Sequence, residues 1–130
     1  MEINDISYSI RGAIFKVYNN LGPGLLESVY HQALVHELTK MGLNVQSEID
    51  VPIVYDNITL STPLRIDILV ENCIIIELKS VLEMKTVFFK QLLTYLKLAN
   101  KPLGFLVNFN TDNLTRSIHR ILNPSFQSVG

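Results

Sequence analysis

Asp67, Glu77 and Lys79 lie in two of the most apolar stretches of this chain, "RIDILV" (residues 65–70) and "CIIIELKS" (residues 73–80). Side chains alternate along a strand, so Cys73, Ile75, Glu77 and Lys79 share one face. On the preceding segment Arg65, Asp67 and Leu69 share a face. A lone carboxylate among isoleucines is costly to bury. Two carboxylates with a lysine beside them gain a use if they hold a hard divalent cation, because Mg2+ and Mn2+ favour oxygen donors. Such a cation activates water and polarises a phosphate, and the lysine would lie close to both. The plainer reading of a strand E-x-K is an ion pair reaching water at a strand end. Asp67 at matching spacing argues against it.

Whether the carboxylates meet depends on register. A two-residue loop at Glu71-Asn72 would set Val70 opposite Cys73 and Asp67 opposite Ile76, on the wrong face. A three-residue loop over 71–73 pairs Val70 with Ile74 and brings Asp67 to Glu77. The expectation is a hairpin of that parity.

The remaining elements must position this pair. Ile6, Ile10, Ala13, Ile14 and Val17 recur at helical spacing, which predicts a helix from Asn4 or Asp5, as N-cap, to Asn20. "LGPG" (residues 21–24) ends it. A second helix is predicted over 25–41, closed by Gly42. Residues 45–55 turn β-like, with Pro52 at an edge or bulge. A short strand at 58–60 is expected next. Strands follow at 65–70 and 73–79, then a helix over 86–99 and a buried strand over 103–109. Residues 114–122 fit either a helix or a strand. This order predicts an α/β domain with a mixed sheet, helices packed against it and one parallel crossover.

Composition sets bounds on function. A length of 130 residues suits one domain, expected to span 1–130. Lys and Arg number 11 against 12 Asp and Glu, giving a net charge of −1, which excludes a binder living on indiscriminate phosphate attraction. The one cysteine, Cys73, allows no intrachain disulfide and reads as a small core residue. No apolar run reaches the roughly 18 residues of a membrane span. The expectation is a soluble cytoplasmic protein without membrane contact. Apolar residues make up 48 %, enough to hint at a homodimer interface.

Polar residues also fall in unexpected places on the helices. Glu27 shares an arc with Tyr30, Leu34 and Leu38, although its first-turn position also suits the helix dipole. His31, beside it, reads as a surface or packing residue. On the third predicted helix, Gln91 and Tyr95 edge the stripe of Phe88, Phe89, Leu92, Leu93 and Leu96. Lys90 lies opposite, as a solvating residue or a phosphate contact.

"GLLESVY" (residues 24–30) resembles the signature of the GxxExxY proteins, small prokaryotic proteins of the PD-(D/E)XK nuclease superfamily. The resemblance continues through "RIDILVENCIIIELKS", "QLLTYLKL" and "LGFLVNF", from about Ile10 to Ile121. It implies a restriction-endonuclease-like α-β-β-β-α-β core and a metal-dependent phosphodiesterase site. Asp67 and the Glu77-x-Lys79 element correspond to the superfamily pattern, Glu27 to its helix glutamate, and Gln91 and Tyr95 to its Q-x-x-x-Y element. The proline of the superfamily name is absent: the sequence reads Arg65-Ile66-Asp67. Asp67, Glu77, Glu27 and the Leu78 carbonyl would hold Mg2+ or Mn2+, with Lys79 at the scissile phosphate. Gln91, Tyr95, Tyr30, Arg65, Lys85 and Lys90 would position the substrate. The implied partner is nucleic acid, DNA ahead of RNA. The alternative is a non-catalytic nucleic-acid or protein-binding module on the same fold.

Overall fold

A computed structural model describes residues 1–128. Helix α1 (Ile3–Leu21) buries Ile6, Ile10, Ala13, Ile14 and Val17, the set given by the periodicity. It begins slightly earlier than expected, and Glu2 caps it without a side-chain hydrogen bond. Gly22 ends it at φ 72°, a left-handed conformation that favours glycine. Helix α2 (Glu27–Lys40) buries Tyr30, Leu34 and Leu38. Its first helical residue is Glu27 rather than Leu25.

Strand β1 (Val45–Val51) stops before Pro52. The expected single segment over 45–55 is divided there, because proline cannot donate to a ladder. Val54–Tyr55 (β2) and Ile58–Thr59 (β3) form a separate small hairpin, with Asp56 and Asn57 both at positive φ in its turn. The main sheet adds β4 (Leu64–Val70), β5 (Ile74–Lys79), β6 (Leu103–Asn108) and β7 (Ile118–Leu122), in the order β1-β4-β5-β6-β7. Among the described residues only β5 and β6 are parallel, joined across α3 (Thr86–Ala99). That is the single crossover predicted. The ambiguous segment resolves into a 3-10 turn at Leu114–Ser117 and then β7, which pairs antiparallel with β6.

Two apolar layers enclose the sheet. On one face α1 and α2 meet Ile68, Val70, Ile74, Ile76, Leu78, Phe105 and Val107. On the other, Leu92 and Leu96 of α3 meet Leu69, Ile75 and Leu106. Alternation in β5 follows the expectation, with Ile74, Ile76 and Leu78 on the α1/α2 side and Ile75 on the α3 side. Cys73, expected on the Ile75 face, instead lies half-buried in the turn before β5, outside the strand's alternation, and packs against the first layer.

Alternation fails in β4. Leu64 and Ile66 pack on the α3 side, whereas Ile68 and Val70 pack on the α1/α2 side. The change of face falls at Asp67. The β1–β4 register is constant on both sides, with Ser47 opposite Ile68 and Ile49 opposite Ile66, but the intervening positions Glu48 and Asp67 are unpaired. Glu48 has φ 51°, uncommon outside glycine. The ribbon therefore turns at Glu48 and Asp67 without gaining a residue.

Candidate active site

The β4–β5 ladder pairs Val70 with Ile74, Leu69 with Ile75 and Ile68 with Ile76. This is the parity of the three-residue loop, and it directs Asp67 toward Glu77. The ladder ends there, and side chains replace its next backbone bonds. The Asp67 amide donates to Glu77 Oε1 at 3.3 Å, and the Leu78 amide donates to Asp67 Oδ2 at 3.2 Å. Each acidic side chain thus caps the backbone of the opposing strand where the two strands part. The backbone turn at Asp67 allows its carboxylate to lie between strands rather than on one face.

This position is poorly hydrated. Glu77 is 7 % exposed, and Asp67 is half-buried. Loss of solvent, above all, and then the nearby charge of Asp67 push the Glu77 carboxyl up to about 9. Glu27 rises for the same two reasons in the same order, with Lys79 and His31 opposing. Burial, followed by the charges of Glu77 and Asp67, raises the Tyr95 phenol. Glu27, Asp67, Glu77, Lys79 and Tyr95 therefore share one electrostatic neighbourhood, drawn from α2, β4, β5 and α3.

The elements bring the remaining residues in differently. Glu27 is the first residue of α2, where the helix N-terminus favours a carboxylate. It lines a groove of about 150 Å³ with Ser28, His31, Gln32, Glu48 and Asp67. His31 is half-buried and lines the same groove, its Nε2 2.5 Å from Ser47 Oγ. Lys79 is half-buried, with Nζ 4.4 Å from the centroid of the Phe88 ring. That contact holds the ammonium by cation–π attraction at the α3 side. Gln91, Lys85 and Lys90 are exposed on or beside α3. Arg65 is exposed and paired with Asp50 at 3.2 Å.

Tyr30 departs from its expected role. It is fully buried and stacked on Phe109, with ring centroids 4.4 Å apart. Its hydroxyl donates to the Gly22 carbonyl at 2.6 Å and accepts from the Leu25 amide at 3.0 Å. A tyrosine so enclosed closes the turn before α2 and does not reach a substrate. Tyr30 thus holds the turn that leads into Glu27.

Two hard carboxylates in contact, one of them kept protonated above all by its burial, suit a divalent cation by donor chemistry. Among the described residues no three His, Cys, Asp or Glu side chains are grouped as a metal site. Glu27 lines the groove with Asp67 rather than completing a cluster with both acids. Leu78 takes part through its amide, already bonded to Asp67. Sequence reasoning missed Glu48, which has no sequence signal, and Asn108, which does. An asparagine inside the apolar run "LGFLVNF" marked it, and its side chain bonds both backbone groups of Val81 beyond Lys79.

A family model for the PD-(D/E)XK nuclease superfamily matches residues 4–121. The chain belongs to this superfamily. PD-(D/E)XK nucleases generally use divalent metal ions. Among solved structures, the crystal structure of SSO0001 has a TM-score of 0.58 at 24 % identity, over 75 % of this chain and 50 % of that one. The PD-(D/E)XK chain described here thus spans half the length of that protein, and the likeness shows the fold alone. No curated protein matches it. Among the described residues, no helix is long and apolar enough to cross a membrane.

Proposed function

We propose that this PD-(D/E)XK protein is a nuclease that hydrolyses phosphodiester bonds, DNA ahead of RNA, with Mg2+ or Mn2+ as cofactor. The observation that carries the reading is the Asp67–Glu77 pair at the parting of β4 and β5, each acid bonded to the opposing backbone. Asp67 and Glu77 would hold the cation, with Glu27 available from the groove. A divalent cation there supplies Lewis-acid polarisation of the scissile phosphate and activation of the attacking water.

The other residues act by charge and position. Lys79, held over Phe88, offsets negative charge developing on the phosphoryl oxygens. Tyr95, with its phenol pushed up, keeps its proton and can donate it to a phosphate oxygen. Gln91, Lys85 and Lys90 offer exposed polar groups along α3 for backbone phosphates, which fix register without reading sequence. Arg65 can do the same once its exposed pair with Asp50 opens, at little cost for a surface ion pair.

The alternative, a non-catalytic nucleic-acid or protein-binding module, draws on the net charge of −1. Calorimetry with Mn2+ on wild type and Asp67→Ala separates the readings when cleavage of DNA and RNA is assayed alongside. The nuclease reading expects Mn2+ binding and Mn2+-dependent cleavage, both lost in the variant. Binding without cleavage favours the module. No metal binding, even with nucleic acid present, refutes the metal site.

A further inference from the structure

The rim of the site carries leucines that the carboxylate chemistry does not use. Leu82 is 98 % exposed and Leu26 is 75 % exposed. Leu26 immediately precedes Glu27, and Leu82 follows Lys79 by three positions in the segment between β5 and α3. Val87, in the first turn of α3, is exposed as well.

Both segments are fastened to the fold. Ser80 Oγ donates to the Leu25 carbonyl at 2.6 Å and ties one segment to the other. The Val81 amide donates to Asn108 Oδ1 at 3.1 Å. Its carbonyl accepts from Asn108 Nδ2 at 3.0 Å and Asn110 Nδ2 at 3.2 Å. Asn108 is itself buried. Tyr30 fixes the backbone before Leu26 through its bonds to Gly22 and Leu25. The backbone beside each leucine is therefore held, while its side chain stands in water, Leu26 directly before Glu27 and Leu82 three positions after Lys79.

Charge favours a base-contacting role for them. Cations do not outnumber acids in this chain, so phosphate neutralisation offers little affinity. Bases present apolar faces, but in a duplex those faces are stacked and only their edges are open. Single strands expose them to side chains. We propose that Leu26 and Leu82 pack on the faces of unpaired bases flanking the scissile phosphate. The substrate class is then single-stranded nucleic acid, or the single-stranded part of a junction or frayed end. This inference rests on the nuclease reading of the same site.

The test is binding of labelled single strands, DNA and RNA, and of a matched hairpin duplex, followed by anisotropy with Ca2+ to limit turnover. Wild type, Leu82→Ser and Leu26→Ser are compared, with Mn2+ calorimetry and Mn2+-dependent cleavage on each protein. Wild type is expected to favour single strands over duplex by at least about tenfold. Each serine variant should lose roughly five- to tenfold on single strands and little on duplex, with Mn2+ affinity unchanged. Equal affinity for both forms, or equal losses on both, overturns the base contact while cleavage keeps the nuclease reading intact. A leucine variant that changes the molecular mass in solution also overturns it, by showing a second copy on this rim. Failure of wild type to bind Mn2+ or cleave any strand removes the underlying reading as well.

Discussion

Replacing Glu77 by glutamine should stabilise the metal-free protein above neutral pH. The folded carboxyl keeps its proton up to about 9, whereas the unfolded one loses it near 4.5. Between those values the folded state binds one more proton than the unfolded state. Stability therefore falls as pH rises through this window, at up to about 1.4 kcal/mol per pH unit. From pH 5 to pH 7.5 that is on the order of 3 kcal/mol as an upper bound. Glutamine cannot ionise, and its amide oxygen can still accept from the Asp67 amide. The expected result is a melting temperature that falls by several degrees from pH 5 to pH 8 in EDTA for wild type. The slope should be largely absent in Glu77→Gln. Glu27 contributes in the same direction, so Glu27→Gln is the control and should keep most of the slope. A flat wild-type profile, or a Glu77→Gln protein less stable than wild type at pH 8, would refute the burial argument.

Metal binding should couple to the same proton. Below about pH 9 Mn2+ must displace it from Glu77, so affinity should rise with pH, and calorimetry in buffers of different ionisation enthalpy should show proton release near neutrality. Binding without proton release would place the cation elsewhere. Tyr30→Phe keeps the stacking on Phe109 but leaves the Gly22 carbonyl and the Leu25 amide without the hydroxyl. Urea unfolding should show a loss of about 1–3 kcal/mol, and a loss near zero would mean that water or a backbone shift replaces these bonds.

Much of the fold is legible in local patterns. The spacing of Ile6, Ile10, Ala13, Ile14 and Val17 specifies the buried face of α1, because that face depends only on residues one or two helical turns apart. The length of the turn over 71–73 decides the parity that brings Asp67 to Glu77, because each one-residue slip reverses the facing of a strand. The acidic residues inside apolar strands announce themselves by their burial cost. Pro52 marks the end of β1, though not the small hairpin that follows it.

Other features depend on contacts between residues far apart in the chain. Alternation alone would put Asp67 on the face of Leu69. The turn of the ribbon at Glu48 and Asp67 frees its carboxylate to reach the Leu78 amide. Residues 114–122 satisfy either periodicity, and the choice is made by the β6 edge, whose backbone groups pair with β7. Lys79 has a strand position readable from sequence, but its ammonium is placed by Phe88, which arrives only when α3 packs on the sheet. Tyr30 shows the division most clearly. Its spacing from Glu27 identifies a motif, while its enclosure by Gly22, Leu25 and Phe109 decides that the motif tyrosine supports the site from within the core. Sequence specifies which groups are present and which way short segments face; packing decides which of them lose water, and the burial of Glu77 beside Asp67 is what pushes its carboxyl up.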